Sequence, residues 1–177
     1  MKAVNAHRRF KILSRARSGS NLLISHLRNH GNLKIYVELF NLNSLSDDDM
    51  VAALNNHVRY LEKHIYRDYP ASVNMVGFKM FYDHAKRRSL LEDLPPYTHR
   101  ALKKRVDSFK RYVKSHYDID ELTHRLEQVW NYLRDDTALK IIHLKRRNKL
   151  ETLLSLKRAY ISNEWEKNDM IKTILFD

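Results

Sequence analysis

Short apolar runs alternate with longer amphipathic segments along the chain, and this alternation limits the fold more than any other feature. The run "RFKILS" (9–14) predicts a buried strand, and 20–29 continues it with leucines at helical spacing. Two further apolar runs, 72–82 and 138–146, predict core strands. Strands that alternate with helices indicate an α/β fold with a mostly parallel sheet. We expect the first strand to be central in that sheet.

Other segments predict the helices that flank the sheet. Ser46 and the three aspartates after it are typical of a helix start, since serine caps the first N–H groups and the helix dipole favours negative charge. One apolar stripe is predicted from there to Ile65. The segment 97–134 has two such stripes with a break between them, and 148–165 predicts a last helix. The stretch 33–40 is either a second strand or a strand-like loop.

Length, charge and cysteine content set the broad class of the protein. A chain of 177 residues is long enough to bury a substantial core, and we expect one domain over 1–177. The absence of cysteine excludes disulfides and thiolate metal sites. No signal peptide or membrane-spanning run is recognisable, so we expect a cytoplasmic protein without a transmembrane segment. A formal net charge of +12 favours an anionic partner without choosing among nucleic acid, phospholipid, nucleotide and sulfated sugar.

The turn after the first predicted strand has the chemistry of an anion site. A helix start offers unpaired N–H groups and positive potential, and a glycine there permits a backbone conformation and a close ligand approach that a side chain would obstruct. Hydroxyl, amide and guanidinium groups add donors. The turn lacks the first glycine and the Lys-[Ser/Thr] pair of the nucleotide-triphosphatase loop, so an ordinary basic turn stays an equal alternative here. The candidate ligands are Arg15, Arg17, Ser18, Gly19, Ser20 and Asn21.

A second candidate anion site follows the strand predicted at 138–146. Arg147 stands at the end of this strand, and Ser155 follows eight residues later on the next predicted helix. An arginine at a strand end and a serine on the following helix can hold one phosphate from two sides.

Together, the two sites resemble those of the 3′-phosphoadenosine-5′-phosphosulfate (PAPS)-dependent sulfotransferases. The resemblance is closest to the bacterial carbohydrate sulfotransferases of the trehalose, nodulation-factor and lipopolysaccharide type. It implies a P-loop-like first loop that binds the 5′-phosphosulfate, Arg147 and Ser155 as ligands of the 3′-phosphate, PAPS as the sulfuryl donor, and no metal. The matching blocks run from Phe10 to Trp165 and include "RSGSNLL", "VELFN", "GFKMFYDH" and "SLKRAYISNEW".

The same resemblance implies roles in the transfer step. Arg17 takes the position of the basic residue that faces the leaving phosphate oxygen. Glu38 matches the carboxylate that this branch places near its acceptor, which is the hydroxyl of a small molecule, a carbohydrate or a glycolipid. His84 is the rival proton acceptor, and Lys79 either contacts the acceptor or caps its strand. A surface glutamate without a catalytic role is the alternative for Glu38.

Two other functions stay open beside this one. A basic helical domain could bind nucleic acid through "HRALKKRVDSFKRYVK" (99–114), but acidic residues are interspersed and no nucleic-acid motif is present, so no such partner is expected. A P-loop-like phosphotransferase would need a magnesium-binding acidic partner, which is not evident. The histidine pairs His26/His30 and His57/His64 have helical spacing but no H-E-x-x-H motif, so structural roles are expected.

Overall fold

The structure, a computed structural model, describes residues 7–91 and 93–165, apart from the side chain of Arg88. Strands and helices alternate in this part of the chain, as predicted. The elements are β1 (Arg8–Ser14), α1 (Ser20–Arg28), β2 (Leu33–Tyr36), α2 (Asp47–Asn55), α3 (His57–Leu61), β3 (Met75–Phe81), α4 (Arg87–Leu91), α5 (Arg100–His116), α6 (Ile119–Asp135), β4 (Lys140–His143) and α7 (Lys149–Ser162).

The four strands form one sheet in the order β2-β3-β1-β4, and every neighbouring pair is parallel. The predictions of a parallel sheet and of a central first strand are therefore confirmed. Ser14 at the end of β1 pairs with Phe81 at the end of β3, and Leu13 pairs with His143 at the end of β4. β2 covers only the first half of the stretch 33–40. Because the strands are parallel, the loops that follow β1, β3 and β4 leave from the same edge of the sheet.

One face of the sheet packs against α1. Phe10 and Ile12 of β1 and Ile35 of β2 form a buried cluster with Ile24 of α1. Gly77 of β3 lies directly against the Phe10 ring, where a Cβ would stand closer to the ring carbons than van der Waals contact allows. Close packing of this face thus requires a glycine in β3, and it fixes α1 on the sheet.

The opposite face is covered by the remaining helices of the core. The alternate residues Val76, Phe78 and Met80 of β3 point to this side and are fully buried. The helices α5 and α6, which confirm the two stripes predicted in 97–134, contribute apolar residues to this core. No helix among the described residues has the length and apolarity needed to cross a membrane. The residues of α5 and α6 in the core are Phe109, Val113, Leu122, Leu126, Val129 and Leu133.

The single helical stripe predicted after Ser46 is wrong, because the chain forms two helices there. Ser46 does cap α2, since its Oγ accepts from the Asp49 N–H at 3.3 Å. Asn56 then leaves the helical conformation with φ −150°, and its Oδ1 caps α3 by accepting from the Arg59 N–H at 2.9 Å. A π-helical turn, Glu62–Tyr66, ends the segment. Asparagine binds nearby backbone groups in this way and so interrupts a helix that the apolar pattern alone would continue.

The strand predicted at 138–146 exists, but the prediction that it is buried is wrong. All four residues of β4 are exposed, with Ile141 at 56% and Ile142 at 38% of full exposure. β4 is an edge strand that pairs only with β1, and within the described chain α7 fully buries only Ala159. Apolar composition indicates a strand, whereas burial depends on which elements cover it, and composition does not reveal that.

Candidate functional site

A crevice is expected at the carboxyl edge of the sheet between β1 and β3. The connection after β1 leads to β2 on one side, whereas the connection after β3 crosses β1 to reach β4 on the other side. The helix after β1 and the helices after β3 cover opposite faces of the sheet, and such a change of face leaves a space outside the carboxyl ends, where open α/β sheets bind ligands. The predicted site residues follow β1, β3 and β4 and therefore lie along this edge.

The turn after β1 places a glycine at the N-cap of α1, so no N-cap side chain covers the first N–H groups of the helix. Gly19 is the N-cap residue with φ 90° and ψ 10°, and the first turn of α1 contains no acidic residue. An added Cβ at Gly19 would meet no atom within 4 Å, so the backbone angle, and not the space, requires glycine there. Uncapped N–H groups at a helix start are donors that an anion can use.

Three serines, Ser14, Ser18 and Ser20, lie between the end of β1 and the start of α1. Ser14 is fully buried at the end of β1, and Ser20 opens α1 with 4% exposure. The Oγ atoms of Ser14 and Ser18 are both buried and have no hydrogen-bond partner among the described residues. Buried hydroxyls in proteins are nearly always hydrogen-bonded. A ligand that reached the turn could therefore accept a hydrogen bond from either hydroxyl.

Arg17 joins the first predicted anion site to α7. Its Nε donates to Ser155 Oγ at 2.8 Å, and its Nη1 donates to the Trp165 carbonyl oxygen at 2.5 Å. The carbonyl oxygen of Arg17 in turn accepts from Nη1 of Arg146 at 3.5 Å. Arg146 also forms an ion pair with Glu151 at 2.6 Å. One residue from each predicted anion site, Arg17 and Ser155, is thus in direct contact.

The other basic residues at this edge are exposed. Arg147 forms no hydrogen bond or ion pair with any residue of the described chain. Ser155, which is predicted to share a phosphate with it, is contacted by Arg17. Arg15 is exposed and its guanidinium lies 5.9 Å from the centre of the Tyr82 ring. Arg146 was not predicted as a site residue, although it belongs to the same basic run as Arg147. The edge is therefore strongly cationic.

Glu38 is held beside α1 by a buried lysine. Its Oε1 pairs with Lys79 Nζ at 2.5 Å, and its Oε2 accepts from Asn41 Nδ2 at 2.7 Å. Lys79 is only 1% exposed and also donates to Asn21 Oδ1 at 2.5 Å. The chain Glu38–Lys79–Asn21 connects the predicted proton acceptor to the first turn of α1. Lys79 thus links the two parts of the site, a role that neither sequence-based alternative described.

His84 is buried and neutral at physiological pH. It is 6% exposed, and its Nδ1 accepts from the Phe81 N–H at 3.3 Å, so the neutral ring carries its proton on Nε2. Burial lowers the pKa of His84 to about 4, against the raising effects of Glu38 and Asp83. A ring with one nitrogen occupied and the other protonated is a poor proton acceptor.

Backbone strain is concentrated at the same edge. Four non-glycine residues of the described chain have positive φ, and three of them, Arg17 at 62°, Glu38 at 22° and Ala85 at 51°, follow β1, β2 and β3. Left-handed backbone is unfavourable for residues with a Cβ and is found disproportionately at functional sites. The strain sets this edge apart from the rest of the sheet.

The remaining histidines do not meet in a cluster. His26 and His30 are exposed, whereas His57 is buried and its Nδ1 bonds to the Ala53 carbonyl oxygen. Over the described ranges 7–91 and 93–165, no three His, Asp or Glu side chains are grouped as metal ligands. These histidines contribute nothing to the anion site.

Comparisons of the chain with protein-family models, curated proteins and solved structures gave no match. Function must therefore be inferred from the residues at the carboxyl edge and from the resemblance of their motifs.

Proposed function

We propose that the protein is a PAPS-dependent sulfotransferase that moves a sulfuryl group to a hydroxyl of a carbohydrate or glycolipid. The observation that carries the proposal is the 2.8 Å contact between Arg17 and Ser155. These residues come from two motifs, 138 residues apart, that resemble the family's 5′-phosphosulfate and 3′-phosphate motifs. Their meeting at one edge of a parallel sheet supports a single nucleotide site.

The first motif offers the donors that a phosphosulfate needs. The uncapped start of α1 presents backbone N–H groups, and the buried hydroxyls of Ser14 and Ser18 have no partner among the described residues. Arg17 donates its Nε–H to Ser155 and one Nη1–H to Trp165. The other three N–H groups of the guanidinium can bind an anion. This donor set supports the 5′ end of PAPS as the ligand of the turn.

The second motif offers a charge and a hydroxyl for the 3′-phosphate. Arg147 is exposed and has no partner among the described residues, so it can form a bidentate pair with phosphate. Ser155 Oγ accepts from Arg17 and keeps its own O–H to donate. Arg146 adds positive charge close to both residues. We therefore assign the 3′-phosphate to Arg147 and Ser155, with Arg146 nearby.

The proposed chemical step is an in-line transfer of SO₃ between two oxygens. The acceptor oxygen forms a bond to sulfur while the bond from sulfur to the phosphate oxygen breaks, and the acceptor proton passes to Glu38. Arg17 stabilises the charge that develops on the departing phosphate oxygen. Glu38 suits proton transfer better than His84, because the His84 Nδ1 accepts from the Phe81 N–H and the other ring nitrogen carries the proton. Lys79 orients the Glu38 carboxylate.

The test is transfer from PAPS to a panel of acceptors, measured by mass spectrometry as the gain of one sulfuryl group. Sugars, oligosaccharides and glycolipids form the panel, and the same mixtures without PAPS are the blanks. Arg17→Ala is expected to lower both cofactor affinity and turnover. Glu38→Gln keeps the size and hydrogen bonding of the side chain, so cofactor affinity should persist while single-turnover transfer falls by roughly 10²–10⁴.

Two outcomes would contradict parts of the proposal separately. Wild-type transfer rates in the Glu38→Gln protein would remove Glu38 from the mechanism and leave the sulfotransferase assignment standing. A protein that transfers no sulfuryl group and does not bind adenosine 3′,5′-bisphosphate would refute the assignment itself.

A further inference from the structure

A cavity on the face of the sheet opposite α1 contains a buried lysine that the proposed chemistry does not use. The cavity has a volume of about 480 Å³ and lies between β1, β4 and the end of α6. Lys11 of β1, which is 5% exposed, lines it. Most of the other walls are apolar and are formed by Trp130, Leu133, Leu139 and Ile141.

Lys11 has no counter-ion in the described chain. Its Nζ lies 5.3 Å from the centre of the Trp130 ring and forms no hydrogen bond or ion pair with any described residue. Asp136 also lines the cavity, but Arg9 Nε at 3.3 Å and Tyr66 Oη at 2.8 Å donate to its carboxylate. Burial lowers the pKa of Lys11, because the ammonium is desolvated without compensation. A buried charge of this kind is unfavourable until an anion reaches it.

The Trp130 ring is held in place by a hydrogen bond, and the ammonium groups of Lys11 and Lys86 lie near it. The indole Nε1–H donates to the His84 carbonyl oxygen at 3.0 Å, which sets the orientation of the ring. The Nζ of Lys86 lies 5.1 Å from the centre of the same ring. Arg134, in the wall of the cavity, is mostly exposed. Two cationic side chains, Lys11 and Arg134, line the cavity, and the lining carboxylate of Asp136 is paired with Arg9. The cavity therefore favours anions over cations.

We propose that this cavity binds a small organic carboxylate whose charged end meets Lys11 and whose apolar body packs against Trp130, Leu133 and Leu139. The volume lies within the range of small-molecule sites, roughly 300–1,000 Å³. Apolar walls favour a ligand with a hydrocarbon or aromatic body, while the single buried ammonium favours one anionic group. The cavity lies away from the carboxyl edge and on the other face from α1, so this binding does not depend on sulfotransferase activity.

The test compares three ligands with the same chain: octanoate, 1-octanol and octylammonium. Each is titrated into the wild-type protein by isothermal titration calorimetry below the concentration at which it aggregates. Octanoate is expected to bind about tenfold or more tightly than 1-octanol, since only octanoate forms a charge-assisted contact with Lys11, and octylammonium should bind least. Because the comparison uses the unmodified protein, it does not depend on the folding of a variant.

Variants of two lysines then locate the site. Lys11→Met preserves the apolar volume and should abolish the preference for octanoate while binding of 1-octanol persists. Lys140→Met removes an exposed lysine from the neighbouring strand and should leave the preference unchanged. Equal affinities of the wild type for octanoate and 1-octanol, no binding of octanoate, or a preference that survives in Lys11→Met would each overturn the proposal.

Discussion

The two anion-binding junctions of this protein are supported by very different amounts of packing. The first, from β1 to α1, joins a strand that has neighbours on both sides to a helix whose Ile24 is buried against the sheet. The second, from β4 to α7, stands on an exposed edge strand. Its helix leaves Leu150 at 66% and Leu153 at 61% exposure. We call these the buried junction and the exposed junction.

This difference indicates how each junction contributes to a ligand site. In the buried junction the hydrophobic core fixes the backbone that presents the N–H groups of α1. Ligand binding there should therefore order few additional residues. In the exposed junction the contacts of Arg17 with Ser155 and Trp165 hold α7 to the loop after β1. A phosphate that contacts both junctions would add a further link, and ligand binding should therefore stabilise the fold.

The largest expected difference between the junctions is in the free energy of unfolding. Ile12 of β1 is fully buried, and Ile12→Ala should lower the free energy of unfolding by about 2–5 kcal/mol. Ile142 of β4 is 38% exposed, and Ile142→Ala should lower it by only about 1 kcal/mol. Urea denaturation measures both values. Equal losses would show that β4 is as well packed as β1.

The next effect is a pH dependence of the free energy of unfolding, which arises at the buried His84 after β3. Burial lowers the pKa of His84 to about 4, below the ordinary value of 6.5. As the pH falls from about 6.5 to about 4, the unfolded chain takes up a proton at this residue and the folded protein does not. Stability that is fully present above pH 6.5 is therefore lost over this range, by an amount on the order of 2–3 kcal/mol.

His84→Gln should reduce this slope, because glutamine can still accept from the Phe81 N–H but does not titrate. Urea denaturation of both proteins at a series of pH values from 7 to 4 measures the difference, as an order-of-magnitude test. Burial also lowers the pKa of His57 and His64, so a smaller slope should remain in the variant. Parallel curves for wild type and variant would show that His84 titrates normally in the folded protein.

A smaller effect is expected at the turn of the buried junction. Gly19 has φ 90°, and Gly19→Ala should lower the free energy of unfolding by about 1–2 kcal/mol, because a Cβ disfavours this backbone angle. Gly31 meets no atom within 4 Å of an added Cβ and is not in the left-handed region, so Gly31→Ala is the matched control with little loss. Comparable losses in both variants would show that the left-handed backbone angle at Gly19 is not the cause of the loss.

The smallest effect tests the link between the junctions. Ser155→Ala removes the acceptor of the Arg17 Nε–H and should lower the free energy of unfolding by about 1 kcal/mol. Ser162→Ala, at the end of the same helix, removes a hydroxyl that donates to the Arg158 carbonyl oxygen and accepts from the Glu164 N–H. Both bonds are local and exposed, so water can replace them and stability should change less. Thermal unfolding of the two variants gives the comparison. A larger loss for Ser162→Ala would contradict the linking role of Ser155.

The sequence predicts the elements of the fold better than their surroundings. The alternation of apolar runs and amphipathic segments predicted the mostly parallel sheet, and the anion-binding patterns at two strand-to-helix junctions led us to expect β1 at its centre. The same apolarity suggested that β4 is buried, because composition cannot show that no described element covers that strand. Asn56 ends α2 through its own conformation and side-chain hydrogen bond, while the stripe of apolar residues continues through it.

The candidate site shows the same division. The turn from Arg15 to Asn21 could be identified because its residue types suit anion binding within one short segment. The contact of Arg17 with Ser155 joins residues 138 positions apart, and that of Lys79 with Asn21 joins residues 58 apart. Such pairings follow from the order of strands in the sheet, which the local pattern does not determine. The local pattern therefore indicated Arg147 and Ser155 as ligands of one phosphate, but not the contact of Arg17 with Ser155.

Calorimetric titration with adenosine 3′,5′-bisphosphate and adenosine 5′-phosphate tests most directly whether the two junctions form one nucleotide site. The wild type should bind the bisphosphate more tightly. Arg147→Ala should remove about 1.5–3 kcal/mol of bisphosphate binding and leave adenosine 5′-phosphate unaffected, because only the bisphosphate carries the contacted group. Arg105→Ala, an exposed residue on α5, is the control and should change neither affinity. Equal weakening of both nucleotides in Arg147→Ala, or a wild type that does not distinguish them, would contradict a shared site.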